Sequence, residues 1–216
     1  MDQQQAHHNQ RLDATVQAVL LAAGASSRYG GDKLLTELTN NGITAPLVGH
    51  TLINWLTVFD NVIVVVRPGH QHLQKYIEER HDTGQIQLVV AKDAYLGMGH
   101  SIVAGVKRST GTKGWVIGLA DMPFIPSDVI ASVRSALLVG AGIALPVRDQ
   151  RRGHPVGFSK TYEQHLLGLE GDMGAKAIIA ENFADLKQIP AKTDSIFYDI
   201  DEPGDLVNAP QFIAAY

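Results

Sequence analysis

Residues 16–35, VQAVLLAAGASSRYGGDKLL, decide how the chain is read. An apolar run rich in Val and Leu stops at Ala22-Ala23-Gly24, turns small and polar, and then offers Arg28, Gly30-Gly31, Asp32 and Lys33. This is the pattern of a strand that delivers a loop. Gly24, Gly30 and Gly31 give the loop backbone angles closed to other residues, so its N–H groups can converge on the oxygens of an anion. Arg28 and Lys33 supply the charge that such a cradle needs. A solvated surface loop would have the same composition, so the rest of the chain decides between them.

Working outward, strands and helices alternate. Residues 39–49 are polar and turn-rich, and 51–59 carry apolar residues at helical spacing with Thr51 as the expected cap. Residues 62–66, VIVVV, form a wholly apolar β-branched run, as in a strand buried on both faces of a parallel sheet. A helix is expected over 69–81, a strand over 86–91, a helix starting at Ser101, a strand over 115–120 and a helix over 126–138. Strands over 142–146 and 156–159 and a helical stretch over 161–169 complete the alternation. The expectation is an α/β fold with a mostly parallel sheet, right-handed crossovers and helices on both faces.

Composition narrows the function. The chain has 216 residues, enough for one α/β domain, expected here over 14–216 behind a disordered tail at 1–13. A formal charge of −4 without a basic block beyond Arg151-Arg152 argues against nucleic acid as a partner. The absence of cysteine excludes disulfides, thiolate catalysis and Cys-ligated zinc. No apolar run approaches the ~20 residues of a membrane span, and the first residues are rich in Gln and His, so no membrane partner and a cytoplasmic location are expected.

In parallel sheets ligands bind outside the carboxyl ends of the strands. The first strand leads into the Gly-rich loop, the third into Tyr95-Leu96-Gly97-Met98-Gly99-His100-Ser101 and the fourth into Asp121-Met122-Pro123. Asp121 is thus placed to hold Mg²⁺, which keeps several waters and takes one or two protein carboxylates beside phosphate oxygens. One of Asp199 and Asp201 is expected to face the site as second carboxylate, although Asp201 could instead cap the last helix, with Pro203 in its first turn. Residues 24–33 lack the Gly-Lys-Ser/Thr ending of a P-loop, and Gly97-Met98-Gly99 lacks the third glycine of a dinucleotide fingerprint.

The segment LAAGASSRYGGDKLL resembles the signature loop of MobA-like NTP transferases, and LADMPFI their metal-binding strand end. LGMGHSIVAGV, GHPVGFS, GDMGAKAII and DIDEPGDL are similar, in order, to segments of the molybdenum cofactor cytidylyltransferases within that family. The resemblance covers residues 16–207 and implies a Rossmann-like three-layer αβα nucleotidyltransferase fold. It implies that Ala22, Ala23 and Gly24 line the base and phosphates of a nucleoside triphosphate, that Arg28 and Lys33 hold the phosphates as catalytic cations, and that Gly97, Gly99 and Ser101 touch base or ribose. Asp121 would bind Mg²⁺ with Asp201 or Asp199.

An Ala-Ala-Gly loop with a Gly-Met-Gly turn goes with cytidine transfer in this family, so CTP and molybdopterin are the implied substrates, with transient contact to a receiving molybdoenzyme. The methyl of Ala23 narrows the base pocket and favours a pyrimidine. Arg152 and His154, with Asp172 and Gly174 before a helix N-terminus, would meet the acceptor phosphate. His154 also reads as an ordinary loop histidine and Asp172 as a helix cap. The alternatives are the same chemistry with GTP or a sugar phosphate, or a non-catalytic chaperone for the finished cofactor. Tyr29 replaces the family's Met, Lys176 replaces Arg, and residues 36–49 are long and lack a Gly-Lys-Pro, which hints at a modified entrance to the site.

Overall fold

Along β1 (Val16–Ala22) burial alternates between two cores: Val16, Ala18, Leu20 and Ala22 pack into one, Val19 and Leu21 into the other. Successive side chains of a strand point to opposite faces, so this strand must be covered on both sides. The computed structural model describes residues 15–26, 29–109 and 111–209. The expected tail at 1–13 and Arg28 lie outside the described residues.

After β1 comes a hairpin, β2 (Glu37–Asn40) and β3 (Ile43–Pro46). Its two-residue loop, Asn41-Gly42, has positive φ at both positions, the conformation that a tight hairpin needs. Next are α1 (Leu47–Leu56), β4 (Val62–Val66), α2 (Gln71–Arg80), β5 (Ile86–Val90), α3 (Met98–Arg108) and β6 (Gly114–Leu119). The second half holds α4 (Ser127–Leu138), β7 (Ile143–Arg148), β8 (Arg151–Arg152), β9 (Val156–Ser159), α5 (Glu163–Leu167), α6 (Lys176–Glu181), β10 (Leu186–Pro190) and α7 (Pro203–Asn208).

The large sheet has the order β10-β7-β9-β6-β1-β4-β5, with β8 paired to β7. Neighbours β6, β1, β4 and β5 run parallel, as do β10 and β7, while β9 is antiparallel to both β6 and β7. Helices α1, α2 and α4 contribute Leu52, Trp55, Leu73, Ile77, Ile130 and Val133 to one core; α3, α5 and α6 contribute Ile102, Val106, Leu166, Ile178 and Ile179 to the other. This is the expected three-layer α/β architecture with a mostly parallel sheet.

Several boundaries differ from those expected from the sequence. Helix α1 starts at Leu47, with Pro46 before its first turn, so Thr51 is not a cap. Thr51 lies buried mid-helix, its hydroxyl 2.9 Å from the Ala120 carbonyl. Helix α3 begins at Met98 rather than Ser101, and the stretch expected to be helical over 161–169 divides into a 3-10 turn, Lys160–Tyr162, and the short α5. Strand β10 has no sequence signature: it sits at the sheet edge, largely exposed, with no apolar alternation to reveal it. Residues 36–49 form the hairpin and the start of α1, and none of them lines the cavity at the strand ends.

Layer spacing depends on a missing side chain. A Cβ on Gly118 of β6 would lie 2.2 Å from Cζ2 of the buried Trp55. The strand is held on both edges and cannot retreat. Gly118→Ala is expected to lower stability by about 1–3 kcal/mol, read as a lower urea midpoint at unchanged slope. A wild-type midpoint would mean that Trp55 can swing aside.

Candidate functional site

Strand register brings the site together. Ala22 pairs with Val66 and Leu21 with Leu119, so β4, β1 and β6 end nearly level. The residues just beyond these ends, Arg67, Ala23 and Asp121, therefore share one rim. A cavity of about 680 Å³ opens there, and among its lining residues are Ala23, Gly24, Gly97, Ser101, Asp121, Asp172, Asp199 and Asp201.

The Asp121 loop is clipped from beneath by α1. Besides the Thr51 hydroxyl at Ala120, Asn54 donates through Nδ2 to the carbonyls of Pro123, at 3.2 Å, and Ile125, at 3.0 Å. The Ile200 N–H donates to the Asp121 carbonyl at 3.0 Å, which draws the 199–201 segment against this loop. Ile200 is fully buried with Leu38, Leu47 and Phe124, and Asp199 and Asp201 flank it on the cavity side. The expectation that only one of these two aspartates faces the site is therefore corrected. Residues two apart in an extended segment lie on the same side. Asp201 is not the helix cap either: Glu202 holds that position, and Oδ2 of Asp205 accepts from the Asp201 and Glu202 N–H groups, each at 2.8 Å.

Lys33 meets these carboxylates. Its side chain is 8% exposed, and Nζ lies 2.7 Å from Asp121 Oδ2 and 3.1 Å from Asp201 Oδ1. Burial works to lower the pKa of this ammonium, but Asp121 and then Asp201 outweigh it and the net shift is upward, so Lys33 stays charged. Asp199 is pushed up, first by burial and then by the neighbouring Asp121 and Asp201 carboxylates, against the opposing pull of its backbone hydrogen bond and of Lys33. Oδ1 of Asp121 is buried without a hydrogen-bond partner among the described residues. Among those residues no three His, Cys, Asp or Glu side chains form a ready metal cage.

The loop that carries Lys33 is tied down at two points. Asp32 Oδ1 lies 2.9 Å from Nε2 of His70, a histidine only 5% exposed at the start of α2. Tyr29 packs against the apolar cluster that holds Ile200, which gives this departure from the family pattern a structural role. On the opposite wall, Gly97 has φ +128°, and a Cβ there would lie 2.3 Å from the Gly171 carbonyl carbon and 2.6 Å from Asp172 Oδ1. The Gly97 and Gly171-Asp172 turns thus press together, as only glycine at 97 permits.

The remaining expected site residues stand back from the cavity. Ala22 is buried at the end of β1, and Gly99 packs under the backbone of Glu170 and Gly171. Gly174, at φ +52°, faces Met98. Arg152 is exposed on β8, its guanidinium 5.3 Å from the Phe183 ring centroid. His154 is half-buried; burial lowers its pKa, and the nearby Asp199 only partly opposes this. Neither Arg152 nor His154 lines the cavity.

Sequence reasoning passed over Arg67 and Lys92, which lie just beyond β4 and β5 and both line the cavity, and His70, which holds Asp32. The signal for Arg67 is its place directly after VIVVV at 62–66, since the first residue beyond a buried parallel strand reaches the ligand-binding rim.

Residues 18–187 match the family described as MobA-like NTP transferase domain. The purine catabolism protein PucB of Bacillus subtilis (strain 168) is 32% identical over 194 residues, spanning 86% of this chain and 91% of that protein. Among solved structures, Rv0371c from Mycobacterium tuberculosis H37Rv superposes with a TM-score of 0.76 at 20% identity, over 94% of this chain and 98% of that one. Rv0371c has also been solved in complex with manganese, at TM-score 0.72 and 19% identity, over 94% and 100% of the two chains. Its homologue from Mycobacterium sp. strain JC1 gives 0.75 at 27% identity, over 91% and 97%.

The raised pKa of Asp199 fixes the sign of a pH effect. A carboxyl whose folded pKa exceeds its ordinary 3.8 favours folding below that value, and the contribution is lost as pH rises through the folded pKa. Asp199→Asn, measured with a chelator present, should therefore raise the urea midpoint at pH 7. The gain should vanish as both proteins are taken below pH 3.8. An Asn variant less stable at pH 7 would show that the charge is satisfied by its surroundings.

Proposed function

The chain belongs to the MobA-like NTP transferase family, and from this premise we propose that it moves CMP from CTP to the phosphate of molybdenum-bound molybdopterin, giving molybdopterin cytosine dinucleotide and pyrophosphate. It is a nucleotidyltransferase by family. The observation that carries the reading is the buried Lys33 ammonium set between Asp121 and Asp201, two carboxylates that line a cavity whose wall includes Ala23.

In the proposed reaction an oxygen of the acceptor phosphate attacks the α-phosphorus of CTP. A new P–O bond forms as the bond from the α-phosphorus to the bridging oxygen breaks, and pyrophosphate leaves. A phosphate monoester is already largely ionised near neutral pH, so no side chain need serve as nucleophile or strong base. Lys33 stabilises the charge that grows on the departing pyrophosphate, with Arg28 proposed as its companion on the same loop. The Gly97 and Asp172 turns form the wall against which base, ribose and acceptor are placed. Arg152, His154 and Gly174 are proposed to act on the acceptor's outer end.

A divalent cation suits the donor set. The ligands are hard oxygens, the Lys33 ammonium already sits as a cation between two of them, and Asp121 Oδ1 is buried with no partner among the described residues. Asp121, with Asp201 and Asp199, would hold it, Mg²⁺ being expected, and it would neutralise phosphate charge at this end of the site. The manganese complex of Rv0371c is consistent with such a cation.

Pyrophosphate release tests the reading. The protein is incubated with Mg²⁺, molybdenum-loaded molybdopterin and each NTP in turn. Release with CTP is expected; release with GTP alone would overturn the base, and release with none would favour a binding or delivery role. Asp121→Asn and Lys33→Ala should each lower kcat about a hundredfold. Full turnover in Asp121→Asn would remove it from the metal role. Ala23→Gly should raise GTP use relative to CTP by roughly 10-fold, the worth of about one methyl in a pocket.

A further inference from the structure

Arg67 lies directly after β4, and the pairing of Ala22 with Val66 sets it beside Ala23 on the adjacent strand. It lines the same cavity, is half-buried, and has its Nε buried without a hydrogen-bond partner among the described residues. A guanidinium donates and never accepts, so a ligand that satisfies it must present acceptors. In the order β6-β1-β4, Asp121 and Arg67 stand on either side of β1, two strand spacings or about 10 Å apart. That is about the reach of a nucleoside monophosphate laid across the strand ends, phosphate at Asp121 and base at Arg67.

We propose that Arg67 reads the hydrogen-bonding edge of the base and that, with Ala23, it selects cytosine; this deepens the nucleotidyl-transfer reading and rests on it. Cytosine offers two adjacent acceptors, O2 and N3, which match the guanidinium fork. Uracil places an N3–H donor there, and adenine sets an amino group beside N1. Guanine offers an acceptor pair at O6 and N7, so the fork accepts it as readily. The methyl of Ala23 then disfavours the larger ring, by roughly 10-fold. Arg67 chooses C or G, Ala23 favours C or U, and only cytosine satisfies both.

The test is equilibrium binding of CMP, UMP, GMP and AMP to the full chain. Wild type should bind CMP over UMP by tenfold or more, and Arg67→Met should bring that ratio close to one. Arg67→Lys keeps the charge but not the fork, so it too should lose most of the ratio while remaining folded. No CMP preference in the wild type overturns the proposal. So does an unchanged ratio in Arg67→Met, or a uniform loss for all four nucleotides, which would make Arg67 a phosphate ligand. Because the readout is binding, a chain that discriminates in this way yet releases no pyrophosphate would fail the transfer reading and leave the role of Arg67 standing.

Discussion

The Lys33 ammonium joins parts of the chain that are 88 and 168 residues apart, at Asp121 and Asp201. Asp199 stands beside them, so three carboxylates converge on one buried cation. Burial and the neighbouring carboxylates push Asp199 up, so its charge is held there at a cost, and a buried ion pair contributes little net stability. Such a cluster persists because the surrounding packing over-determines it.

That packing is identifiable. Helix α1 fixes the Asp121 loop from below through Thr51 and Asn54, and Ile200, sunk among Leu38, Leu47 and Phe124, fixes the Asp199–Asp201 segment from the side. Tyr29 reaches the same apolar cluster from the loop, and the Asp32–His70 contact pins that loop to the start of α2. Lys33 is thereby held between its carboxylates by neighbours on both sides. Backbone hydrogen bonds and apolar anchors set positions here, and the charged groups occupy positions already made.

Much of this is legible in the sequence, and unevenly so. Strands buried on both faces, such as VIVVV, match in the structure residue for residue, because continuous β-branched runs leave few alternatives. The Gly-rich loop and the Asp121 strand end announce themselves by position. Strand β10 does not, since an exposed edge strand needs no apolar pattern. The start of α1 is misplaced from sequence because Thr51 looks like a cap, while its hydroxyl is engaged in tertiary contact with Ala120. His154 lies within the GHPVGFS motif and Arg152 directly before it, yet neither lines the cavity, because a motif fixes residue types and not the direction its loop faces. His70 cannot be found at all from sequence: its partner is 38 residues away, and only burial reveals the pair.

The cavity is also polarised along the strand order. At the β6 side stand Asp121, Asp199 and Asp201 against Lys33; at the β4 and β5 side stand Arg67 and Lys92, with Asp172 on the wall beside Gly97. An anion entering alone would be drawn to the basic side and repelled from the acidic one, where the proposed chemistry must occur. A nucleoside triphosphate with its phosphates at the acidic end would need positive charge to accompany it, which a divalent cation held by Asp121 would supply. With the acidic cluster offset by such a cation, phosphates could lie over β6 and the base over β4. On this reading the acidic cluster and the basic wall act together, one demanding a metal-bound phosphate and the other an acceptor-rich base.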